Sequence, residues 1–280
     1  MSAMPKTLLV ISGGEKSVEI VSALRAAGHA VVVSDSDPQA PAFALADSCL
    51  IADVHGASET AAAAERYSRK IRKIDGVLSV ADASLTVAMV TERLKLPGPP
   101  PHVTELIGDR LGVRRCFASA GIASPWYAEI FTPQDLQRAV IARGRDLAVK
   151  PTENRGPLGV TRLAAENDFN AAFQFARSHC VSERVMLEQE LDGPRFAVAG
   201  LMLDGKFHAV QAIEPTISEA CSRAALALGL CDGPLASEIV LHQDVAHVME
   251  ISSRLDGVQF LAAAAKLALG EKPSPEDLGA

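Results

Sequence analysis

The sequence lacks the features of several common protein classes. No window approaches a membrane span free of charge, and the apolar run near the start ends at Gly13-Gly14, too early for a secretory signal. The net charge is −7 without a block of lysines or arginines, so neither nucleic acid nor an anionic membrane is expected as the main partner. With 280 residues, 48% of them hydrophobic, the chain is expected to be a globular protein with a substantial core.

The cysteines lack the spacing of a disulfide framework or a zinc site. They are odd in number, scattered, and without a CxxC pair or a paired arrangement with the seven histidines. We therefore expect reduced thiols, a cytoplasmic location and no zinc. The five cysteines are Cys49, Cys116, Cys180, Cys221 and Cys231.

The first third alternates strands and helices in the manner of a βαβ unit. Gly28 is expected to end the first helix. The pattern predicts a doubly wound parallel sheet, which would bind ligands beyond the carboxyl ends of its strands. The predicted strands are Leu8–Ser12, Ala30–Ser34, Cys49–Ala52 and Gly76–Val80, and the predicted helices are Ser17–Ala27 and Ala57–Lys73.

The loop after the first strand offers a weak nucleotide signal. Gly13-Gly14 is not a GxGxxG motif, and Asp35 suits either a ribose contact or a turn. A nicotinamide dehydrogenase is therefore disfavoured, although binding near Gly13-Gly14 remains an alternative.

A proline-rich stretch, Pro97–Pro101, is the best domain boundary because it can neither continue a helix nor supply the donors of a central strand. Beyond it, a helix over Val103–Ala120 is expected to break at Gly108-Asp109. Thr132 is expected to cap the next helix. The helix Val258–Leu269 is apolar nearly all round, which favours the core over a dimer interface. We expect domains over residues 1–101, 102–185 and 186–280.

Lys150 ends an apolar strand that begins at Asp146, and glycines 156 and 159 follow in the next loop. A point charge with exposed backbone donors suits phosphate. The alternative is a lysine that extends to solvent beside an ordinary turn.

Two apolar strands near the C-terminus each contain a glutamate. Leu235–Leu241 carries Glu238, and Val245–Ile251 carries Glu250. A hairpin would bring the two carboxylates together, with Ser252 and Arg254 on the same side as Glu250. Because a carboxylate in an apolar strand needs compensation, we expect either a salt bridge to Arg254 or a divalent cation such as Mg²⁺.

The order of these motifs resembles the ATP-grasp superfamily, in particular the carbamoyl-phosphate-synthetase-like carboxylate–amine ligases. This resemblance implies an N-terminal doubly wound parallel sheet, a pre-ATP-grasp domain, followed by a two-lobed ATP-grasp α+β domain. The motifs are Gly108-Asp109-Arg110, Gly121-Ile122, Pro125, Val149-Lys150-Pro151, Asn154-Arg155-Gly156, Gly159-Val160, Val185–Gly193, Gly229, Gly233, Glu238 and Glu250–Arg254.

The resemblance implies roles at named positions. Lys150 and Arg254 would act on the phosphates and on the transferring phosphoryl group, as catalytic residues. The residues implied to bind ATP are Arg110, Lys150, Arg155, Gly156, Gly159, Glu188, Gln189 and Leu191, with the last three at the adenine. The residues implied to hold Mg²⁺ are Glu238, Glu250 and Ser252.

The chain departs from the family pattern at several of these positions. Arg110 stands where a lysine is common, Pro157-Leu158 stiffens the phosphate loop, and Ser252 replaces an asparagine. Pro194-Arg195 follows Gly193, where the family often has an acid that holds ribose. The segment Glu214–Leu230 is also shorter than the corresponding family segment.

The function implied is an ATP- and Mg²⁺-dependent ligase. It would join a small carboxylic acid, an amino acid, to an amine through an acyl phosphate, and the sequence accordingly has no catalytic Ser/His/Asp or Cys/His set. Tyramine–glutamate ligases resemble the chain in being short. The alternative is a degenerate ATP-grasp protein that binds nucleotide or a protein partner without ligation. A homodimer is expected only because dimers are the commonest assembly.

Overall fold

The computed structural model describes residues 5–144, 146–153, 158–163 and 168–278. The chain divides into two compact units, and neither is continuous in sequence. Unit 1 comprises Met1–Glu105, Val198–Ser237 and Ile251–Ala280, and unit 2 comprises Leu106–Ala197 and Glu238–Glu250. The division into three domains at residues 101 and 185 stays a prediction.

Unit 1 contains the parallel sheet expected from the first third of the chain. Its strand order is β3-β2-β1-β4, and all three pairings are parallel. Strands β1, β2 and β4 are runs of mostly aliphatic residues buried on both faces, whereas the edge strand β3 is partly exposed. Gly28 ends α1 with a φ of +89°, as predicted. The elements are β1 (Thr7–Ile11), α1 (Glu15–Ala26), β2 (Ala30–Asp35), β3 (Ser48–Ile51), α2 (Ala57–Lys70), β4 (Gly76–Ser79) and α3 (Ser84–Leu94), with a 3₁₀ helix at Pro41–Leu45.

The loop after β1 is fastened by Asp35 itself. One carboxylate oxygen of Asp35 accepts the backbone N–H of Gly13 at 2.7 Å, and the other accepts that of Asp37 at 3.0 Å. A Cβ on Gly13 would lie 2.8 Å from the Cβ of Ala40. Both oxygens of Asp35 hold the loop in place, which agrees with the interpretation of Asp35 as a turn residue.

The predicted break in the next helix is confirmed at Asp109. The helix α4 (Pro101–Gly108) ends there, and the Asp109 side chain caps α5 (Arg110–Ser119) by accepting from the backbone N–H of Leu111. Thr132 caps the following helix in the same way, also as predicted.

Unit 2 is built on an antiparallel sheet with strand order β5-β8-β6-β7. Helices α6 and α7 supply apolar side chains to its core, among them Leu136 and Phe173. The elements are β5 (Tyr127–Ile130), α6 (Pro133–Arg143), β6 (Leu147–Pro151), β7 (Thr161–Leu163), α7 (Phe169–Ser178) and β8 (Val185–Gln189).

A third sheet, with strand order β10-β9-β11-β12, contains the predicted C-terminal hairpin. Its turn is Gln243-Asp244, with φ of +50° and +62°, the backbone of a two-residue hairpin turn. Four alanines of α9 are buried in the unit 1 core, which confirms the core interpretation of that helix. The elements are β9 (Arg195–Leu203), β10 (Lys206–Ala209), α8 (Pro215–Leu228), β11 (Gly233–His242), β12 (Val245–Ser252) and α9 (Leu261–Ala268), with a 3₁₀ helix at Pro275–Leu278.

Candidate functional site

Unit 2 contains a buried charge cluster formed by Arg114, Lys150 and Glu188. One carboxylate oxygen of Glu188 lies 2.6 Å from Nε of Arg114, and the other lies 2.7 Å from Nζ of Lys150. The side chains of Arg114 and Glu188 are 3% exposed, and that of Lys150 is 13% exposed. The cluster therefore consists of an inner pair and one lysine closer to solvent.

Two cations keep Glu188 ionised despite its burial. Burial alone would raise the pKa of Glu188, but the charges of Arg114 and Lys150 and their hydrogen bonds outweigh it and hold that pKa below its ordinary value. A buried carboxylate is stable only when its oxygens are satisfied in this way.

Arg114 also ties three elements of unit 2 together. Besides Glu188 on β8, its guanidinium donates to the backbone carbonyls of Val248 and Met249 on β12. Arg114 was not among the residues predicted from the sequence. The sequence did contain a signal, because Leu111, Arg114 and Phe117 are spaced three residues apart and so share one helix face. Leu111 and Phe117 on this face are fully buried. An arginine on such a face needs an acidic partner.

A polar pocket of about 330 Å³, here called the hinge pocket, follows β8. Leu191, which was predicted to line the adenine site, lines this pocket together with Glu190. Oε1 of Glu190 lies 4.0 Å from Nζ of Lys150, so the pocket adjoins the buried charge cluster. Gly193 is required at its edge: its φ is +140°, and a Cβ there would lie 2.1 Å from the carbonyl oxygen of Leu241.

The two C-terminal glutamates form a separate feature, the exposed pairs. Glu238 pairs with Arg195 at 2.7 Å, and Glu250 pairs with Arg110 at 2.9 Å. The glutamate side chains are 39% and 46% exposed. Arg110 also donates to the carbonyl of Pro151, directly after Lys150.

These contacts correct the expectation of a salt bridge to Arg254. Both glutamates are accessible rather than buried, and their arginine partners are Arg110 and Arg195 of unit 2. Strand β12 ends at Ser252, so strand alternation does not set the direction of Arg254. Ser252 itself is buried while Glu250 is exposed, and its hydroxyl donates to the carbonyl of Ala236 at 3.5 Å.

Arg254, in unit 1, has a buried Nε without a hydrogen-bond partner among the described residues. A buried guanidinium nitrogen that lacks an acceptor is costly, and it suits a position that receives an anion. The catalytic role implied for Arg254 stays a prediction.

Sequence comparison gives one family match and distant relatives. Residues 8–95 match the family described as PylC-like, N-terminal domain. The uncharacterized protein y4rH of Sinorhizobium fredii is 29% identical over 212 residues, 72% of this chain and 43% of that protein. A formate-dependent phosphoribosylglycinamide formyltransferase of Xanthomonas oryzae pv. oryzae is 26% identical over 181 residues, 64% of this chain and 44% of that protein. The chain thus spans less than half the length of these relatives.

Solved structures share the fold over nearly the whole chain. The L-amino acid ligase from Bacillus licheniformis has a TM-score of 0.78 at 20% identity, over 96% of this chain and 75% of that one. Biotin carboxylase from Campylobacter jejuni, solved as a β-γ-ATP complex, has a TM-score of 0.77 at 16% identity, over 99% of this chain and 74% of that one. The chain has the ATP-grasp fold. The fold class predicted from the sequence is confirmed.

The oxygen ligands nearest to what Mg²⁺ prefers are the carboxylates predicted to hold it. Glu238 and Glu250 supply accessible carboxylates, the ligands that Mg²⁺ takes alongside phosphate oxygens. No group of three or more His, Cys, Asp or Glu that could hold a metal occurs in the described part of the chain. Accessible carboxylates of this kind suit a cation that is shared with a nucleotide, and each of them is paired with an arginine.

The loop after β6, which was predicted to cover the phosphates, is described only in part. Arg155 and Gly156 lie outside the described residues. Gly159 has a φ of +80°, and a Cβ there would lie 2.8 Å from that of His179. Across the described residues, none of the helices is long and apolar enough to cross a membrane.

Proposed function

We propose that this protein is an ATP- and Mg²⁺-dependent ligase that joins a small carboxylic acid to an amine. The acid's carboxylate oxygen attacks the γ-phosphorus of ATP and displaces ADP. The amine nitrogen then attacks the carbonyl carbon of the acyl phosphate, phosphate leaves, and the nitrogen loses a proton. Such chemistry needs no enzyme nucleophile, because positioning and electrostatic stabilisation supply the rate.

The observation that carries this proposal is the neighbourhood of Lys150. Its ammonium group is paired with a fully ionised Glu188 and adjoins the hinge pocket through Glu190. A lysine that is held in position and still partly exposed is suited to receive phosphate oxygens. Leu191 would contact the base in the hinge pocket, and Gln189 is fixed beside it by its backbone N–H, which donates to the carbonyl of Trp126.

The exposed pairs would supply the metal ligands. Mg²⁺ would neutralise charge on the phosphates when bound. Glu238 and Glu250 would hold it, and each would exchange its arginine for the cation. Arg110 would then be free to turn toward the phosphates, a motion supported by its place between Glu250 and the carbonyl of Pro151.

An amino acid is the proposed carboxylic acid. The similarity to an L-amino acid ligase over 96% of the chain supports this class, and the short segment Glu214–Leu230 supports a small acceptor amine. A tyramine–glutamate ligase-like pair of substrates is the first to test.

One observation favours a second function: each glutamate proposed to hold Mg²⁺ is paired with an arginine. If the pairs Glu238–Arg195 and Glu250–Arg110 persist when nucleotide binds, Mg²⁺ would have no carboxylate ligands. The protein would then be a degenerate ATP-grasp protein that binds nucleotide or a partner without ligation.

Calorimetric titration of ATP with and without Mg²⁺ tests the metal site. Binding that is strengthened by Mg²⁺ in the wild type and loses that dependence in Glu250→Gln is expected. Glu183→Gln is the matched control, because Glu183 is also an exposed glutamate of unit 2 paired with an arginine. Mg²⁺-independent binding in the wild type would contradict the proposed site.

Release of ADP and phosphate in the presence of paired acids and amines then separates the two functions. Turnover that requires both substrates supports the ligase. Mg²⁺-dependent ATP binding without turnover across amino acids and amines favours the degenerate protein.

A further inference from the structure

Unit 1 contains a cavity of about 490 Å³ that is lined by none of the residues proposed to bind ATP or Mg²⁺. All of its lining residues belong to unit 1, and they come from the edge of β4, the segment Pro97–Pro100, the loop before β11, and the end of α9. Protein interiors rarely contain voids larger than a water molecule. A cavity of this size is within the range of small-molecule sites.

The wall of the cavity is largely apolar. Val77 and Leu78 contribute from β4, Leu203 from the end of β9, Leu230 from the loop after α8, and Leu267 from α9. Val77, Leu78 and Leu230 are buried, whereas Leu203 and Leu267 are partly exposed, so an apolar ligand body would release water from these two leucines.

The wall is also preformed. Prolines 97, 99 and 100 form part of the cavity wall, and each fixes its own backbone φ angle. Gly98 packs so closely on α3 that a Cβ would lie 2.5 Å from the Oγ1 of Thr91, and a Cβ on Gly270 would lie 3.2 Å from Pro97. A rigid wall lowers the entropy cost of binding because little has to be ordered.

The charged side chains that line the cavity give it an acidic rim. Nζ of Lys272 lies 2.7 Å from Asp204, whose backbone N–H is accepted by Asp232 at 2.8 Å. The hydrogen bond to Asp204 raises the pKa of Lys272, so this lysine is charged at neutral pH and engaged with an acid. Together with Glu271, the rim has three acids and one lysine among its described lining residues. Its field favours a cation.

We propose that this acid-rimmed cavity binds a small amphipathic amine, with its apolar body against the wall and its protonated amino group at the rim. A hydrocarbon would gain nothing from the field of the acidic rim, and a carboxylate would meet like charge there. The site does not depend on ATP or on ligation.

Cys231 provides a direct measurement of occupancy. Cys231 is exposed and lines the cavity. Cys49 on β3 is also exposed, but it does not line the cavity. Burial raises the pKa of Cys221 to about 12, so that thiol does not compete. Alkylation of each cysteine by iodoacetamide would be followed by peptide mass spectrometry with hexylamine, hexanoate or hexanol present.

Hexylamine is expected to slow alkylation of Cys231 about tenfold at about ten times its Kd, since only the unoccupied protein reacts. Cys49 should react at an unchanged rate. Hexanoate should not protect Cys231, and hexanol should protect it at higher concentration only. Equal protection of both cysteines, no protection by hexylamine, or equal protection by hexanoate would overturn the proposal.

Two variants test the parts of the site separately. Glu271→Gln removes an exposed rim charge and should weaken protection by hexylamine about twofold to fivefold, with hexanol unaffected. Leu203→Trp should narrow the cavity and weaken protection by both ligands, and its partly exposed position limits the risk to folding. Unchanged protection in both variants would place the ligand elsewhere and reject the site.

The amine could be an acceptor substrate or an effector. Supplying the protective amine with ATP and an amino acid distinguishes them: incorporation of the amine into product identifies a substrate, and protection without incorporation identifies an accessory ligand.

Discussion

The buried charge cluster and the exposed pairs use the same residue types in opposite ways. Arg114 and Glu188 are 3% exposed, whereas Arg195 and Glu238 are about 40% exposed. Breaking a buried pair leaves an uncompensated charge in the protein interior, so the two partners stay together. Exposed partners exchange cheaply, because water and salt already screen them. We infer that the cluster fixes the site and that the pairs are the exchangeable part.

The largest expected effect is that of Arg114→Met. The substitution leaves Glu188 buried with Lys150 as its remaining partner and removes the donors to Val248 and Met249. A loss of about 3–5 kcal/mol in the free energy of unfolding is expected. Urea denaturation measures it.

Arg115→Met is the matched control for that change. Arg115 is the next residue, is 58% exposed and pairs with Glu129. Its removal should cost less than about 1 kcal/mol. Equal losses in the two variants would remove the distinction between buried and exposed pairs.

An intermediate effect is expected from acid titration of Glu188. Its pKa is lowered in the folded state, so the unfolded chain binds its proton first as the pH falls. The stability that this carboxylate contributes is therefore present above its ordinary pKa of about 4.3 and is lost as the pH falls through the lowered value.

Urea denaturation of the wild type and Glu188→Gln across this pH range tests the assignment. The difference in free energy of unfolding between them should shrink as the pH falls. Glu183→Gln, at an exposed pair, should show a small difference at each pH. A wild-type advantage over Glu188→Gln that persists at the lowest pH would show that the charge of Glu188 is not its cause.

The smallest expected effect is that of Arg195→Ala on Mg²⁺ binding in the absence of nucleotide. If Arg195 competes with the cation for Glu238, its removal should raise Mg²⁺ affinity about twofold to fivefold by calorimetry. Arg162→Ala is the control, because Arg162 lines the same pocket and, like Arg195, pairs with Glu190, whereas it is Arg195 that pairs with Glu238. Weaker Mg²⁺ binding in Arg195→Ala would mean that the arginine supports the site rather than occupying it.

Local features of the chain were predictable to within a few residues. The parallel sheet, the break at Asp109, the cap at Thr132 and the C-terminal hairpin follow from periodicity and capping residues, which act between near neighbours. Lys150 and the two glutamates were identified because a charged residue in an apolar strand is conspicuous.

The sequence determined which charges the protein would have to accommodate, and the tertiary structure decided how each is paired. Glu188 meets Arg114 across 74 residues, and Glu250 meets Arg110 across 140. No local pattern encodes such pairs, because pairing depends on which strand ends and helix faces the fold brings together. The same is true of the acid-rimmed cavity, where a proline-rich stretch that marked a boundary in the sequence became the rigid wall of a pocket.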